Sequence, residues 1–295
     1  MELARSELAR ALFALLLATR VAFSGYKKRS LSFDGACLAF FVGLISCAAS
    51  VKLGLTLIAF FLGSSKVTRV GAERKKKLED GHQVGGNRNW VQVAANGGLA
   101  TAIAACFWLV TRRAGDHPEL RLDFDAFASA SRLQAAYLCH YACCNADTWA
   151  SELGVLSRAS PILVTRPWRR VPPGTNGGVT WMGTAASALG GLLIGAVFWA
   201  VGAALQPPAP AGAPAQWPIV LVGAAAGVLG SLIDSLLGAT FQYSAFCEAK
   251  QLVVEAPSPT AKHISGWDLL DNHQVNFLAA AATSAIGATA CSAVF

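Results

Sequence analysis

Charged residues are scarce in this 295-residue sequence: Asp, Glu, Lys and Arg together make up 14%, whereas soluble domains carry about 25%. Hydrophobic residues make up 54%, and the mean hydropathy is +0.46. Long apolar segments account for this shortage of charge, so the chain is predicted to be an integral membrane protein. The net charge of +7 lies in loops between those segments, which favours membrane topology and anionic lipid or phosphate over nucleic acid.

Several motifs of soluble enzymes are also missing. The sequence has no Gly-x-Ser-x-Gly elbow, no His-Glu-x-x-His and no Gly-x-Gly-x-x-Gly after a strand, so proteases, zinc enzymes and Rossmann enzymes are poorly supported. No two of the eight cysteines have CxxC spacing, and most lie in apolar segments, which favours buried free thiols over a zinc site or a disulfide framework. The absence of an internal repeat disfavours a transporter built from inverted repeats.

Apolar runs of about 20 residues divide the chain into predicted membrane spans. The block 33–63 is too long for one span and contains Lys52, so we interpret it as two short helices with Lys52 snorkelling at their junction. The first run is read as a retained helix, because no small-residue cleavage site follows it. The predicted spans number about eight, with a range of six to nine: 3–23, two helices within 33–63, 90–110, 124–144, 178–205, 217–237 and 275–295.

The fold class predicted from these spans is an all-α polytopic membrane protein with one helix bundle. Residues 1–30 are expected to form an N-terminal helix and basic linker, and residues 31–295 a single membrane-embedded domain. If block 33–63 is a hairpin, most lysines and arginines fall in loops on one side of the membrane. The opposite side receives a loop with more acids than bases and the uncharged QPPAPAGAPAQWP, an asymmetry that follows the positive-inside rule.

Three aspartates stand out, because ionisable residues at membrane depth usually face the bundle interior or a cavity. Asp147 lies at the basic-side end of the fifth predicted span, Asp234 within the seventh, and Asp271 at the start of the last. Together they predict a catalytic magnesium site, since Mg²⁺ prefers carboxylates combined with substrate phosphates. The alternative for Asp147 is a helix cap.

Phosphate is expected at two glycine-rich loops that precede predicted helices, because backbone amides at a helix start bind anions. Arginines flank both loops and supply cationic donors, and two asparagines of the last helix share one face at i, i+4 spacing. The alternative is that the arginines only set topology and the glycines only form turns. The candidate phosphate-binding residues are Arg88, Asn89, Arg169, Arg170, Gly174, Thr175, Asn176, Gly177, Gly178, Asn272 and Asn276.

Four segments, GGNRNWVQVAANGG, CNADTWASELG, VPPGTNGGVTWMG and GSLIDSLLGATFQ, resemble the signature blocks of the transmembrane protein 19 family, also called domain of unknown function 92. The likeness runs from about Leu31 to the C-terminus, and the last block departs from the family pattern at His273 and Gln274. The family includes plant phytyl-phosphate kinase, which makes phytyl diphosphate. A more distant likeness to phosphatidate cytidylyltransferases and polyprenol kinases lacks their usual lysine near the Pro-Gly turn, for which Arg169 or Arg170 would stand in.

Residues and resemblance together predict a membrane-embedded phosphotransferase, specifically a CTP- or ATP-dependent prenyl-phosphate kinase. Its substrate would be an isoprenoid (phytyl-like) phosphate, with a nucleoside triphosphate as co-substrate and Mg²⁺ at the aspartates. Two alternatives stay open: a non-catalytic membrane subunit of a larger assembly, and a transporter of lipids or isoprenoid phosphates. The expected partners are an isoprenoid phosphate or other lipid, the membrane and membrane-complex subunits, without nucleic acid. The expected location is an endomembrane or the plastid envelope.

Overall fold

The computed structural model describes residues 2–72, 86–113, 121–206 and 208–295. Within these ranges the helices are α1 Glu2–Lys27, α2 Phe33–Ala49, α3 Val51–Thr68, α4 Trp90–Arg113, α5 Ala128–Gly154, α6 Trp181–Leu205, α7 Ile219–Phe241 and α8 Asn272–Ala290. Six of them are long and apolar enough to cross a membrane, while α2 is shorter and α5 is more polar. The described helices confirm the predicted polytopic α-helical class.

The block 33–63 forms the predicted helical hairpin, with Ser50 between α2 and α3. The two helices touch beside this turn: a Cβ added at Gly54 would lie 2.8 Å from the Cα atom of Cys47. At the far end of α3, the Arg69 guanidinium donates to the carbonyl of Lys28 at 2.9 Å, so α3 ends where α2 begins. The snorkelling predicted for Lys52 is wrong. Its side chain is 1% exposed, and Nζ lies 3.9 Å from the ring centre of Phe198, an attractive cation–π position.

Helix α5 is the central helix of the bundle and packs against α3, α4, α6, α7 and α8. Protein rather than lipid surrounds most of its length, so it tolerates buried polar side chains such as His140 and Asn145. Asn145 joins two neighbours, because its amide donates to the Gly190 carbonyl at 2.8 Å and its oxygen accepts from Ser64 at 3.0 Å. The helix continues to Gly154, beyond the predicted end at residue 144, so Asp147 lies inside α5 rather than at its end.

Glycines let α6 and α7 approach almost to backbone contact. A Cβ added at Gly191 would lie 2.2 Å from the carbonyl oxygen of Gly223, and one at Gly227 would lie 2.8 Å from the Cα of Gly191. On the other side of α6, a Cβ at Gly190 would lie 3.0 Å from the Cα of Ala146 on α5. Small residues of this kind drive close packing of membrane helices. Their effect here is to hold α5, α6 and α7 together, and with them the two intramembrane aspartates.

This packing predicts opposite effects for one substitution at two glycines. Gly191→Ala should lower the free energy of unfolding by about 1–3 kcal/mol, because the added methyl group forces α6 away from α7. Gly98→Ala on α4 should raise it by about 0.5–1 kcal/mol, because no atom lies within 4 Å of the added carbon and alanine favours helix. Thermal unfolding of both variants in the same detergent measures the difference, and shifts of the same sign would contradict the prediction.

Two small antiparallel sheets, which the sequence did not predict, lie in the loops after α5 and α7. The first contains β1 Ile162–Leu163, β2 Arg166–Arg170 and β3 Gly178–Val179, in the order β2-β1-β3. The second contains β4 Ser244–Cys247, β5 Leu252–Val254 and β6 Ala261–Ser265, in the order β5-β4-β6. An apolar cluster joins the two sheets to α7: Leu163, Val171, Ala239, Val253 and Ile264.

The start of α6 differs from the prediction. Gly178 was expected to begin this helix, but it pairs in β3, and α6 begins at Trp181. Thr180 is the N-cap, and its hydroxyl accepts a hydrogen bond from the amide of Gly183 at 3.0 Å. The glycine-rich loop therefore belongs to the first sheet rather than to the helix.

The helices alternate in direction, so the ends of α1, α3, α5 and α7 lie with the starts of α2, α4, α6 and α8, and both sheets lie at this same end. The basic segments within the described residues are thereby brought together, as the charge pattern predicted. At the opposite end, the amide of Phe124 donates to the carbonyl of Phe295 at 2.8 Å. Lys75–Lys77 and Gly85, noted in the sequence, lie outside the described residues.

Candidate functional site

A polar cavity of about 1010 Å³ opens at the end of the bundle that carries the two sheets. Helices α3 to α8 and both loop regions contribute to its wall. Its charged and amide-bearing lining residues are Arg88, Gln92, Asn96, Asp147, Glu152, Asn176, Asp234, Lys250, Glu255, Asn272 and Asn276. Because polar side chains at membrane depth are costly, their convergence on one cavity marks a candidate functional site.

Asp147 and Asp234 face this cavity from different helices, α5 and α7. Both side chains are half-buried, and they lie close enough for their charges to interact. With its amide oriented to satisfy the neighbouring oxygens, Asn276 donates to Asp234 Oδ2 at 3.0 Å and to the carbonyl of Asn272 at 3.1 Å. Asn276, one of the two asparagines predicted to share a face of α8, therefore contacts Asp234 of α7.

Asp271 has a different role from the one predicted. It is the N-cap of α8, where its carboxylate accepts from the Gln274 amide at 2.8 Å and its own amide donates to the Gln274 side chain at 2.9 Å. This capping box uses the carboxylate, and Asp271 is not among the residues that line the cavity. Among the described residues, no group of three or more His, Cys, Asp or Glu side chains is placed to hold a metal ion. The three-aspartate metal set is therefore corrected to two carboxylates.

Two carboxylates still suit a magnesium ion that completes its coordination with phosphate oxygens and water. Mg²⁺ is commonly bound in this way, through one or two carboxylates together with substrate phosphates. Asp147 and Asp234 are hard oxygen donors in a cavity large enough for such a substrate. Asn276 satisfies one oxygen of Asp234 and leaves the other available. The donor set fits a metal that arrives with a phosphorylated substrate better than a metal held by protein alone.

Arg88 is a cation held in a fixed position at the cavity wall. Its guanidinium donates to the hydroxyls of Ser65 at 3.2 Å and Thr68 at 3.4 Å, both on α3. Its backbone forms a parallel bridge with Leu31, and a Cβ added at Gly35 would lie 2.1 Å from the Arg88 carbonyl oxygen. Burial lowers the pKa of the Arg88 guanidinium, and the charge of Glu152 opposes this shift. Arginine side chains are effectively always protonated in proteins, so the guanidinium remains a cation.

Asn89, the neighbour of Arg88, is not among the cavity-lining residues. Its side-chain oxygen accepts from the amide of Gln92 at 3.0 Å, and its own amide donates to the Gln92 side chain at 3.2 Å. Asn89 therefore closes a capping box at the start of α4, like that of Asp271 on α8. Its side-chain oxygen is engaged in this cap, and its phosphate-binding role stays a prediction.

The glycine-rich loop lines the cavity through Gly174, Thr175, Asn176, Gly177 and Gly178. Three of its amides already donate within the protein: Thr175 to Pro172, Asn176 to the Ser244 hydroxyl at 3.1 Å, and Gly178 to Thr175 at 2.9 Å. Gly177 has φ +76°, and a Cβ there would lie 2.6 Å from the Ser235 carbonyl on α7. The loop is thus a packed wall rather than an open nest of amides, and phosphate binding by its other groups stays a prediction.

Arg169 and Arg170 lie on β2 and are not among the residues that line the cavity. Arg169 donates to the Ile264 carbonyl at 3.0 Å and so links the two sheets, whereas Arg170 is exposed. Their role in place of the lysine of the distant kinases stays a prediction. Lys250, between β4 and β5, does line the cavity, and sequence reasoning missed it because a single lysine in a polar loop carries no signal.

Comparisons with known proteins bear on the whole chain. The family model described as integral membrane protein DUF92 matches residues 16–284. Protein PGR of Arabidopsis thaliana is 40% identical over 286 residues, which are 97% of this chain and 98% of that protein. An uncharacterized membrane protein of Methanocaldococcus jannaschii is 30% identical over 238 residues, 80% of this chain and 84% of its own length. No solved structure matches the chain.

Proposed function

Since this chain belongs to the integral membrane protein DUF92 family, we propose that its polar cavity is the active site of a membrane-embedded phosphotransferase. The proposed reaction transfers the terminal phosphoryl group of CTP or ATP to an isoprenoid (phytyl-like) phosphate, and yields an isoprenoid diphosphate and the nucleoside diphosphate. One observation carries the proposal: Asp147 and Asp234, from adjacent helices, face a single cavity that also contains Arg88.

In this proposal the cation of the cavity binds the acceptor phosphate, and the two carboxylates bind the metal. Arg88 would hold the acceptor phosphate, because a guanidinium fixed by two other hydrogen bonds is a preorganised anion partner. Asp147 and Asp234 would hold Mg²⁺, which would neutralise negative charge on the nucleotide phosphates. Asn276 orients the carboxylate of Asp234 by donating to one of its oxygens. This arrangement supports transfer by positioning and electrostatic stabilisation.

No general base is required in this reaction, because the acceptor is a phosphate oxygen that is already anionic. The absence of an assigned base therefore does not count against the site, and His273 at the cavity wall needs no catalytic role. The cavity of about 1010 Å³ lies at the upper end of the usual range for ligand sites, roughly 300–1,000 Å³, which leaves room for a nucleotide beside the acceptor phosphate.

The proposed reaction is tested with the purified full-length chain, phytyl phosphate and γ-labelled CTP or ATP. We expect labelled phytyl diphosphate that forms only when Mg²⁺ is present. Two outcomes would overturn the proposal. One is copurification at fixed stoichiometry with other membrane proteins and no turnover, which indicates a non-catalytic subunit. The other is nucleotide-independent uptake of labelled phytyl phosphate into proteoliposomes, which indicates a transporter.

An isoprenoid-phosphate substrate also motivates the proposed location, an endomembrane or the plastid envelope. Multiple spans are shown by the family and by six long apolar helices, but the organelle rests on the substrate class alone. Imaging of a tagged full-length protein beside organelle markers tests it. A signal confined to the plasma membrane would contradict it.

A further inference from the structure

A second, apolar crevice lies among α1, α2, α3 and α4, next to the polar cavity. Small and apolar side chains line it, among them Ala22, Ala39, Val42, Phe61 and Gly97. The polar members of its lining are Ser64, Arg88 and Asn96. The proposed phosphotransferase site does not use α1 or α2, so the crevice needs an explanation of its own.

Arg88 and Asn96 line both the apolar crevice and the polar cavity. The guanidinium of Arg88 is tied to Ser65 and Thr68, so its position at this boundary is fixed. A phosphate bound at Arg88 therefore has polar surface on one side and apolar surface on the other. Such a junction suits a ligand whose charged head and hydrocarbon chain must lie in different surroundings.

The shape of the crevice limits which ligand it accepts. Its volume is about 70 Å³, far below the 1010 Å³ of the polar cavity, because the helices around it approach closely at Gly43 and Gly97. Its lining on α2 runs from Ala39 to Cys47, which spans about 12 Å at 1.5 Å per residue. The crevice is therefore narrow and elongated, and it follows the direction of the helices into the hydrocarbon depth.

We propose that this crevice binds the part of the acceptor's hydrocarbon chain next to the headgroup, in a single-chain isoprenoid phosphate whose phosphate lies at Arg88. The assignment rests on the proposed function for the identity of the headgroup, and on the continuity of the two cavities for the position of the chain. The small volume leaves room for one chain. Burial of the chain in the crevice supplies binding energy in proportion to its apolar area.

Photocrosslinking tests the position of the chain without requiring turnover. The probe is phytyl phosphate with a diazirine on the isoprene unit next to the phosphate, added to the full-length protein in nanodiscs without nucleotide. We expect crosslinked peptides from α1 and α2, around Ala22, Ala39 and Gly43, and at least tenfold less labelling when excess unmodified phytyl phosphate competes. Crosslinks confined to α5–α8, no crosslinks, or equal labelling by a diazirine phosphatidylcholine that phytyl phosphate does not displace would each overturn the proposal.

A crevice-filling variant tests the consequence for catalysis. Ala39→Phe should lower kcat/KM for phytyl phosphate at least tenfold but change it less than threefold for methyl phosphate, whose single carbon does not reach Ala39, one helical turn beyond Gly35 at Arg88. Cys37→Phe is the matched control, because Cys37 lies on the same helix, is exposed and does not line the crevice. We expect no change of chain-length preference in this control.

The two experiments separate failure of the crevice from failure of the proposed function. Crosslinks in the crevice without any diphosphate product would refute the phosphotransferase and retain the isoprenoid-phosphate site. Diphosphate formation with crosslinks elsewhere, or with equal losses for long and short acceptors in Ala39→Phe, would refute the crevice and retain the enzyme.

Discussion

Asp147→Asn is expected to lower kcat for phosphoryl transfer by roughly 10²–10³-fold, the cost of removing one preorganised electrostatic group from a transition state. The substitution keeps the size of the side chain and removes one of the two carboxylates that face the cavity. A single carboxylate binds Mg²⁺ more weakly, so the Mg²⁺ concentration for half-maximal rate should rise as well. Initial rates over a Mg²⁺ titration, with phytyl phosphate and nucleotide saturating, measure both effects.

Asp268→Asn is the matched control for Asp147→Asn. Asp268 is an exposed aspartate at the same end of the bundle, and it is not among the cavity-lining residues. We expect this control to retain the rate and the Mg²⁺ dependence of the parent chain, and thermal unfolding to confirm that both variants fold. Parental activity in Asp147→Asn, or equal losses in the two variants, would remove Asp147 from the site.

The helices, and the position of Asp147 and Asp234 at the same end of the bundle, could be predicted from the sequence because both follow from strong physical constraints. Apolar runs have to be long enough to span the bilayer, and a lysine inside the block 33–63 indicated a break between two helices. The charge asymmetry of the loops then placed both aspartates on the basic side. Deep carboxylates are costly enough that their presence alone pointed to a cavity, which the structure contains at that end.

Asp271 and Asn89 were both predicted as ligands, and in the structure both are helix N-caps. Aspartate and asparagine before a helix serve equally as N-caps and as ligands, so their identity does not separate the two roles. The spacing to the next glutamine does separate the two roles. A glutamine follows three residues later in both cases, as Gln274 and Gln92, and this spacing is the signature of a capping box. That local pattern was present in the sequence and would have predicted both caps.

The two small sheets and the bonding of the glycine-rich loop were beyond sequence reasoning. Strands of two to five residues carry too little alternation to be recognised, and their partners lie elsewhere in the chain. Whether the amide of Asn176 is available to phosphate depends on Ser244, 68 residues away. Contacts of this kind arise only in the folded chain, so the sequence could propose the loop as a site but could not say which donors it retains.

Arg88→Gln is expected to raise the KM for phytyl phosphate by roughly 10–100-fold, because a hydrogen bond to a charged group contributes about 1.5–3 kcal/mol and each 1.4 kcal/mol is a factor of ten. Arg170→Gln is the control, since Arg170 is exposed on β2 outside the cavity lining, and its KM should stay within twofold. Arg88→Lys should lie between them, because lysine keeps the charge but cannot reproduce the planar fork that binds Ser65 and Thr68.

The KM for nucleotide decides between two orientations of the substrates in the cavity. If Arg88 holds the acceptor phosphate, the KM for CTP or ATP stays within about threefold in Arg88→Gln while the KM for phytyl phosphate rises. A rise confined to the nucleotide KM would place the triphosphate at Arg88. It would also contradict the placement of the acceptor chain in the apolar crevice. Among the described residues, Arg88 is the cation that lines both cavities, so an acceptor phosphate bound elsewhere would not lie at the mouth of the crevice. One pair of KM values from a single variant thus tests the headgroup position and the chain position together.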